Sequence, residues 1–190
     1  MEIFSIIIAS ISLFVSGLTA YFTLFRKGKV KMTKPTVIFF GPDMDGSLQV
    51  YLRTLLFSTS QKGQILESMY VKLKRGESVQ NFNIWVYGGK SFVRGSGLFV
   101  GKEGVTYSHH FLLPKDGTSY EFLAGTYNLE VYASRLNSRT PLMICSLQLS
   151  ISKEDAEVLK EKSQDAGIYF DWGPDSQTYH SFVDLRPGTM

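Results

Sequence analysis

Phe122-Leu-Ala-Gly-Thr-Tyr-Asn-Leu-Glu-Val-Tyr132 is the stretch that decides how this chain is read. From Gly125 the pattern is Gly-x-Tyr127-x-Leu129-x-Val131, with apolar side chains on every second position. Such alternation places one set of side chains on each face of an extended chain, so a half-buried β-strand is expected. Downstream, Met143, Cys145, Leu147, Leu149 and Ile151 alternate with Ile144, Ser146, Gln148 and Ser150. Asn137-Ser-Arg-Thr140 between the two segments carries turn residues. The pair therefore predicts an antiparallel hairpin.

Upstream the same grammar recurs from Thr36. Thr36–Phe40 is a first strand, ended by Gly41-Pro-Asp-Met-Asp-Gly46, and Leu48–Ser58 is a second, with a break in register near Thr54. Ile65–Leu73 alternates Met69, Val71 and Leu73 against Tyr70, Lys72 and Lys74. Arg75-Gly-Glu77 then turns the chain into Val79–Tyr87, read as one strand with Phe82, Ile84 and Val86 on its inner face. Residues 88–104 hold six of the 17 glycines, which predicts loops and edge strands there and no helix. Val105–Leu113 resumes a strand before Pro114. Seven or so short strands at this spacing predict a mainly β, antiparallel sandwich over residues 36–151.

The Gly125–Val131 pattern resembles the start of strand F in immunoglobulin-like sandwiches. The resemblance implies that Tyr127 is the structural corner tyrosine, bonding to the backbone a few residues upstream, and that Leu129 takes the core position often held by cysteine. It covers the fold alone and brings no activity with it. The single cysteine, Cys145, excludes an internal disulfide and accords with a reducing compartment.

Ahead of the sandwich, Ile3–Phe25 runs 23 residues without a charged residue, His, Asn, Gln or Pro. As a helix it reaches roughly 34 Å, against a hydrocarbon core of about 30 Å. Residues 1–25 are thus read as a single transmembrane anchor, retained because neither a basic leader nor a small-residue cleavage site is present. Arg26, Lys27, Lys29, Lys31 and Lys34 follow, and residues 26–35 form a basic juxtamembrane linker at the membrane interface. These cations account for the net charge of +3, since residues 35–190 carry 15 basic and 16 acidic side chains. The pI of 8.9 is therefore local and gives no support for nucleic-acid binding. Cations on this flank predict a single-pass cell-membrane protein with a cytoplasmic domain, and they can also contact anionic lipid. Ser5, Ala9, Ser12, Ser16, Thr19 and Thr23 fall on one stripe of the helix, a possible seam for association with itself or another protein.

After the sandwich, Ser152 reads as the N-cap of one short helix over 152–167, stopped by Gly167. Residues 168–190 read as an irregular aromatic tail packed on the sandwich, the alternative being a docking strip for another protein. Catalytic chemistry is thin. His109 and His110 are adjacent on a strand and point to opposite faces, so with His180 they do not complete a metal site. Asp43-Met-Asp45-Gly46 lacks the remaining ligands of a calcium loop. No cofactor and no enzymatic activity is expected. The expected function is a membrane-anchored protein-binding or assembly module; the alternative is a ligand-sensing effector whose sandwich controls association of the membrane helices.

Overall fold

A computed structural model describes residues 2–25, 28–43, 45–88, 93–94, 97–117, 119–136 and 138–185, the side chains of Leu24, Val93 and Arg94 excepted. Helix α1 (Glu2–Ala20) passes into a π-helical last turn, Tyr21–Phe25. By length and composition it is able to cross a membrane, and none of it is buried in the protein. The strands are β1 (Val30–Met32), β2 (Val37–Pro42), β3 (Leu48–Ser58), β4 (Gln64–Arg75), β5 (Ser78–Phe82), β6 (Ile84–Tyr87), β7 (Val93–Arg94), β8 (Leu98–Val100), β9 (Val105–Leu112), β10 (Gly125–Arg135) and β11 (Leu142–Ile151). Helix α2 (Lys153–Glu161) and strands β12 (Ala166–Gly173) and β13 (Thr178–Leu185) complete the chain.

Two antiparallel sheets form a β-sandwich. One is ordered β13-β12-β2-β3-β9-β6-β7 with β1 added along β3; the other is β11-β10-β4-β5 with β8 added along β4. The inner faces meet in an aromatic core. Phe40 stacks on Phe122 with centroids 5.2 Å apart and meets Phe170 and Tyr127 edge-on at 5.1 and 6.1 Å. Such rings each remove a large apolar area from water and favour offset or edge geometries. Tyr127 is fully buried, and its hydroxyl donates to the Leu123 carbonyl at 2.7 Å, so the polar tip is satisfied at the entry to β10.

Several expectations need correction. Val79–Tyr87 is not one strand: the chain changes sheets at Asn83, so Phe82 and Trp85 are buried while Ile84 is half-buried. β3 has no register break; its pairing with β9 is continuous from Gln49 to Leu56. Thr54 stays buried because its hydroxyl donates to the Thr33 carbonyl at 2.9 Å, leaving Leu55 and Phe57 half-buried on the other face. In β11 a bulge opposite Val131/Tyr132 leaves Met143 exposed. The linker expected over 26–35 contains a strand, Val30–Met32, paired with the end of β3.

The helix is shorter than 152–167 and Gly167 does not stop it. Ser152 Oγ accepts the Asp155 amide at 3.0 Å, the helix ends at Glu161, and Gly167 lies within β12. Nor are residues 168–185 irregular. They form, with Ala166 and Gly167, the β12–β13 hairpin, joined to the sheet through β2. Both faces of β12 carry aromatic residues, which hides the alternation: Phe170 enters the core, while Tyr169 packs outside against Phe39 and Phe182. Residues 186–190, like Arg26 and Lys27, lie outside the described residues.

Gly41 and Gly167 flank the Phe39 ring, and a Cβ at either would strike it. Gly167→Ala is therefore expected to destabilise the sandwich by about 1–3 kcal/mol through overpacking. Urea unfolding of the full chain in detergent measures this, and an unchanged midpoint contradicts it.

Candidate docking cleft

Strand β11 ends its sheet, and among the described residues its outer edge has no strand partner. An edge strand leaves alternate N–H and C=O groups free to pair with another chain. Facing this edge, the β12–β13 hairpin closes one side of a cleft of about 530 Å³. Ser146–Ser150 of β11 form one wall, and Phe170, Trp172, Thr178, Tyr179 and Ser181 form the other. Gln177 and Lys34 complete it, so no carboxylate lines it.

The aromatic wall is held in place from the linker side. Trp172 and Tyr179 are cross-strand partners with rings edge-on at 5.0 Å. The Tyr179 hydroxyl donates to the Pro35 carbonyl at 2.8 Å, and the Trp172 amide donates to the Thr36 carbonyl at 3.0 Å. Lys34 Nζ stands 4.2 Å above the Trp172 ring, a cation–π contact. Burial raises the Tyr179 hydroxyl above the ordinary tyrosine range, so it stays a neutral donor. Cys145 is half-buried, and burial pushes its thiol up to about 11, which keeps it protonated and unreactive. An apolar floor, a hydroxyl and amide rim and a free strand edge suit an extended peptide with alternating side chains.

The residues singled out from the sequence are dispersed. Lys34 joins the cleft, Lys31 projects from β1, and Lys29 is fixed by its backbone, its amide donating to Thr59 Oγ1 at 2.9 Å. In α1, Thr19 donates to the Val15 carbonyl at 2.8 Å and Thr23 donates to that of Thr19, one turn back. Ser5, Ala9, Ser12 and Ser16 are exposed on the same helix. The Asp43 carboxylate accepts the amides of Asp45 and Ser47, both at 2.9 Å, and so closes its own loop. His180 Nε2 lies 3.0 Å from Ser176 Oγ across the hairpin turn, with Asp171 as its cross-strand partner, all three exposed. No group of three or more His, Cys, Asp or Glu is positioned to hold a metal among the described residues. The cleft is not evident from the sequence, where its second wall has the pattern of an irregular tail; the density of Tyr, Phe and Trp over 168–182 is the signal that points to it.

No protein-family model and no curated protein matches the chain. A late embryogenesis abundant (LEA) protein solved in solution aligns with 9% identity and a TM-score of 0.37, covering 80% of this chain and 87% of its own.

His109 is one of the buried polar groups of the larger sheet. The Trp85 indole donates to its Nδ1 at 3.2 Å, so the proton sits on Nε2, which is buried without a partner. Burial, assisted by the neighbouring His110, pushes its pKa down from 6.5 to about 4. The unfolded chain therefore binds the extra proton between these values, and stability falls as pH drops through that window. Acidification from pH 7 to about pH 4.5 should remove about 2–3 kcal/mol through this group. His109→Gln keeps an acceptor for Trp85 and should flatten that part of the urea-measured pH profile; an unaltered acid limb contradicts the assignment.

Proposed function

We propose that this chain is a single-pass membrane protein whose β-sandwich, on the cytoplasmic side, is a non-enzymatic protein-binding or assembly module. The observation that carries the binding role is the unpaired β11 edge beside the Trp172/Tyr179 wall. A partner segment added along β11 gains main-chain hydrogen bonds from the edge and side-chain selectivity from the aromatic wall. Support for the span comes from α1, long and apolar enough to cross a bilayer and unburied, and support for its orientation from the cations that follow it. The small-residue stripe of α1 offers a second contact, to another copy or another membrane helix. The likeness to immunoglobulin-like sandwiches is supported by the Tyr127–Leu123 bond at the start of β10.

A second reading, a ligand-sensing effector, is favoured by Lys34. It stands in the cleft yet belongs to the segment that leaves the anchor, so occupancy there would be felt next to the membrane.

Two measurements test the proposal. A photo-crosslinking amino acid at Gln148 of the full chain in membranes should give a discrete protein adduct, weakened several-fold by Trp172→Ala with Tyr179→Ala. The same probe at Lys115 should give none, and an adduct independent of the two aromatic residues contradicts docking in the cleft. A reporter fused after Met190 should be active in the cytoplasm; signal from the opposite side overturns the orientation.

A further inference from the structure

The end of the sandwich from which α1 departs carries a second cleft, of about 500 Å³, remote in chemistry from the first. Lys62, Gln64, Ile65, Phe99, Arg135 and Leu136 line it, with Gly28 at its edge. Its apolar members face water: Phe99 is 62% exposed, Leu136 48% and Ile65 42%. Of its two cations, Lys62 and Arg135, the second is incompletely used. Arg135 Nη1 donates to Gln64 Oε1 at 3.5 Å, whereas Arg135 Nε is buried without a partner. A guanidinium with a donor to spare, next to a lysine and a group of exposed apolar side chains, matches a phosphate joined to acyl chains.

Distance from the anchor identifies which phosphate. Gly28 follows Phe25 by three residues, which span at most about 11 Å even when extended. The Gly28 carbonyl accepts the Gln64 side-chain amide, and the amide of the next residue, Lys29, donates to Thr59 Oγ1 while the Lys29 carbonyl accepts the Thr59 amide. The headgroup layer is itself about 5–8 Å deep on each side of the hydrocarbon. A cleft held this close to the end of a span therefore opens into the headgroups. The charges agree. The loops at this end carry Lys29, Lys62 and Lys102 with Glu103.

We propose that this basal cleft binds the phosphate headgroup of an anionic phospholipid through Arg135 and Lys62, with Phe99 and Leu136 entering the interface. The proposal rests on α1 spanning the bilayer, and its test separates the two. The full chain with Cys145→Ser is placed in nanodiscs of phosphatidylcholine, with or without phosphatidylglycerol, and a nitroxide is attached at position 12, 45 or 99. With phosphatidylglycerol, the label at 99 should be several-fold less accessible to aqueous nickel than that at 45. Lys62→Gln with Arg135→Gln should reverse this protection without moving the urea midpoint. Equal accessibility at 99 and 45, with the label at 12 immersed in lipid, overturns the basal site and leaves the span intact. Equal protection at 99 in both lipid mixtures overturns the anionic headgroup. A label at 12 open to nickel removes the span and the basal site together.

Discussion

The eight-stranded sheet depends on strand β3. It pairs with β1 and β2 along one side and with β9 along the other, in continuous register. One end of β3 lies in the aromatic core, where Val50 opposes Phe40; the other runs into Ser58 and Thr59, where the chain arriving from α1 is fastened. Lys29 and Thr59 exchange a side-chain and a backbone hydrogen bond, at 2.9 and 3.0 Å. Gly28 is packed against Ser60 so closely that a Cβ would strike it. Two or three hydrogen bonds, each worth about 1 kcal/mol net, are modest singly, but here they act where the chain from an apolar helix enters a folded domain. They turn a tether into a fixed point of entry.

That fixed point gives the sandwich two distinct sides. The basal loops gather cations and exposed apolar residues beside the chain arriving from α1, while α2 lies at the far end with Leu159 buried beneath it. Between the ends, the open edge of β11 and the C-terminal hairpin frame the lateral cleft. We infer a division of labour in which the base meets lipid and the side meets protein. Lys34, seated on Trp172, ties the lateral cleft to the segment that emerges from the helix.

Legibility in the sequence followed how local the cause was. The β10–β11 hairpin was readable because its partners are adjacent in the chain and its inward residues alternate; the bulge near Cys145, which turns Met143 outward, was not. The sheet change at Asn83 was hidden because period-two alternation continues across it, although the two halves pair with different strands. In β3, a buried threonine satisfied by Thr33 looked like a register error. The pairing of β12 with β2 links residues some 130 positions apart, and aromatic side chains on both faces of β12 erased its pattern. Of the residues lining the two clefts, Lys34 is legible as a juxtamembrane cation and Phe170, Trp172 and Tyr179 as members of an aromatic cluster. The rest of each cleft is assembled from loops and edges that only the topology brings together.

We infer that the apolar helix joins the sandwich through a fixed joint at Lys29 and Thr59. Hydrogen exchange at the Lys29 and Thr59 amides, measured on the full chain in a bilayer, tests this most directly. Both amides should exchange far more slowly than those of an unstructured peptide and in step with the amides of β1. Exchange at the free-peptide rate, with β3 still protected, would show the linker to be a loose tether and contradict the account.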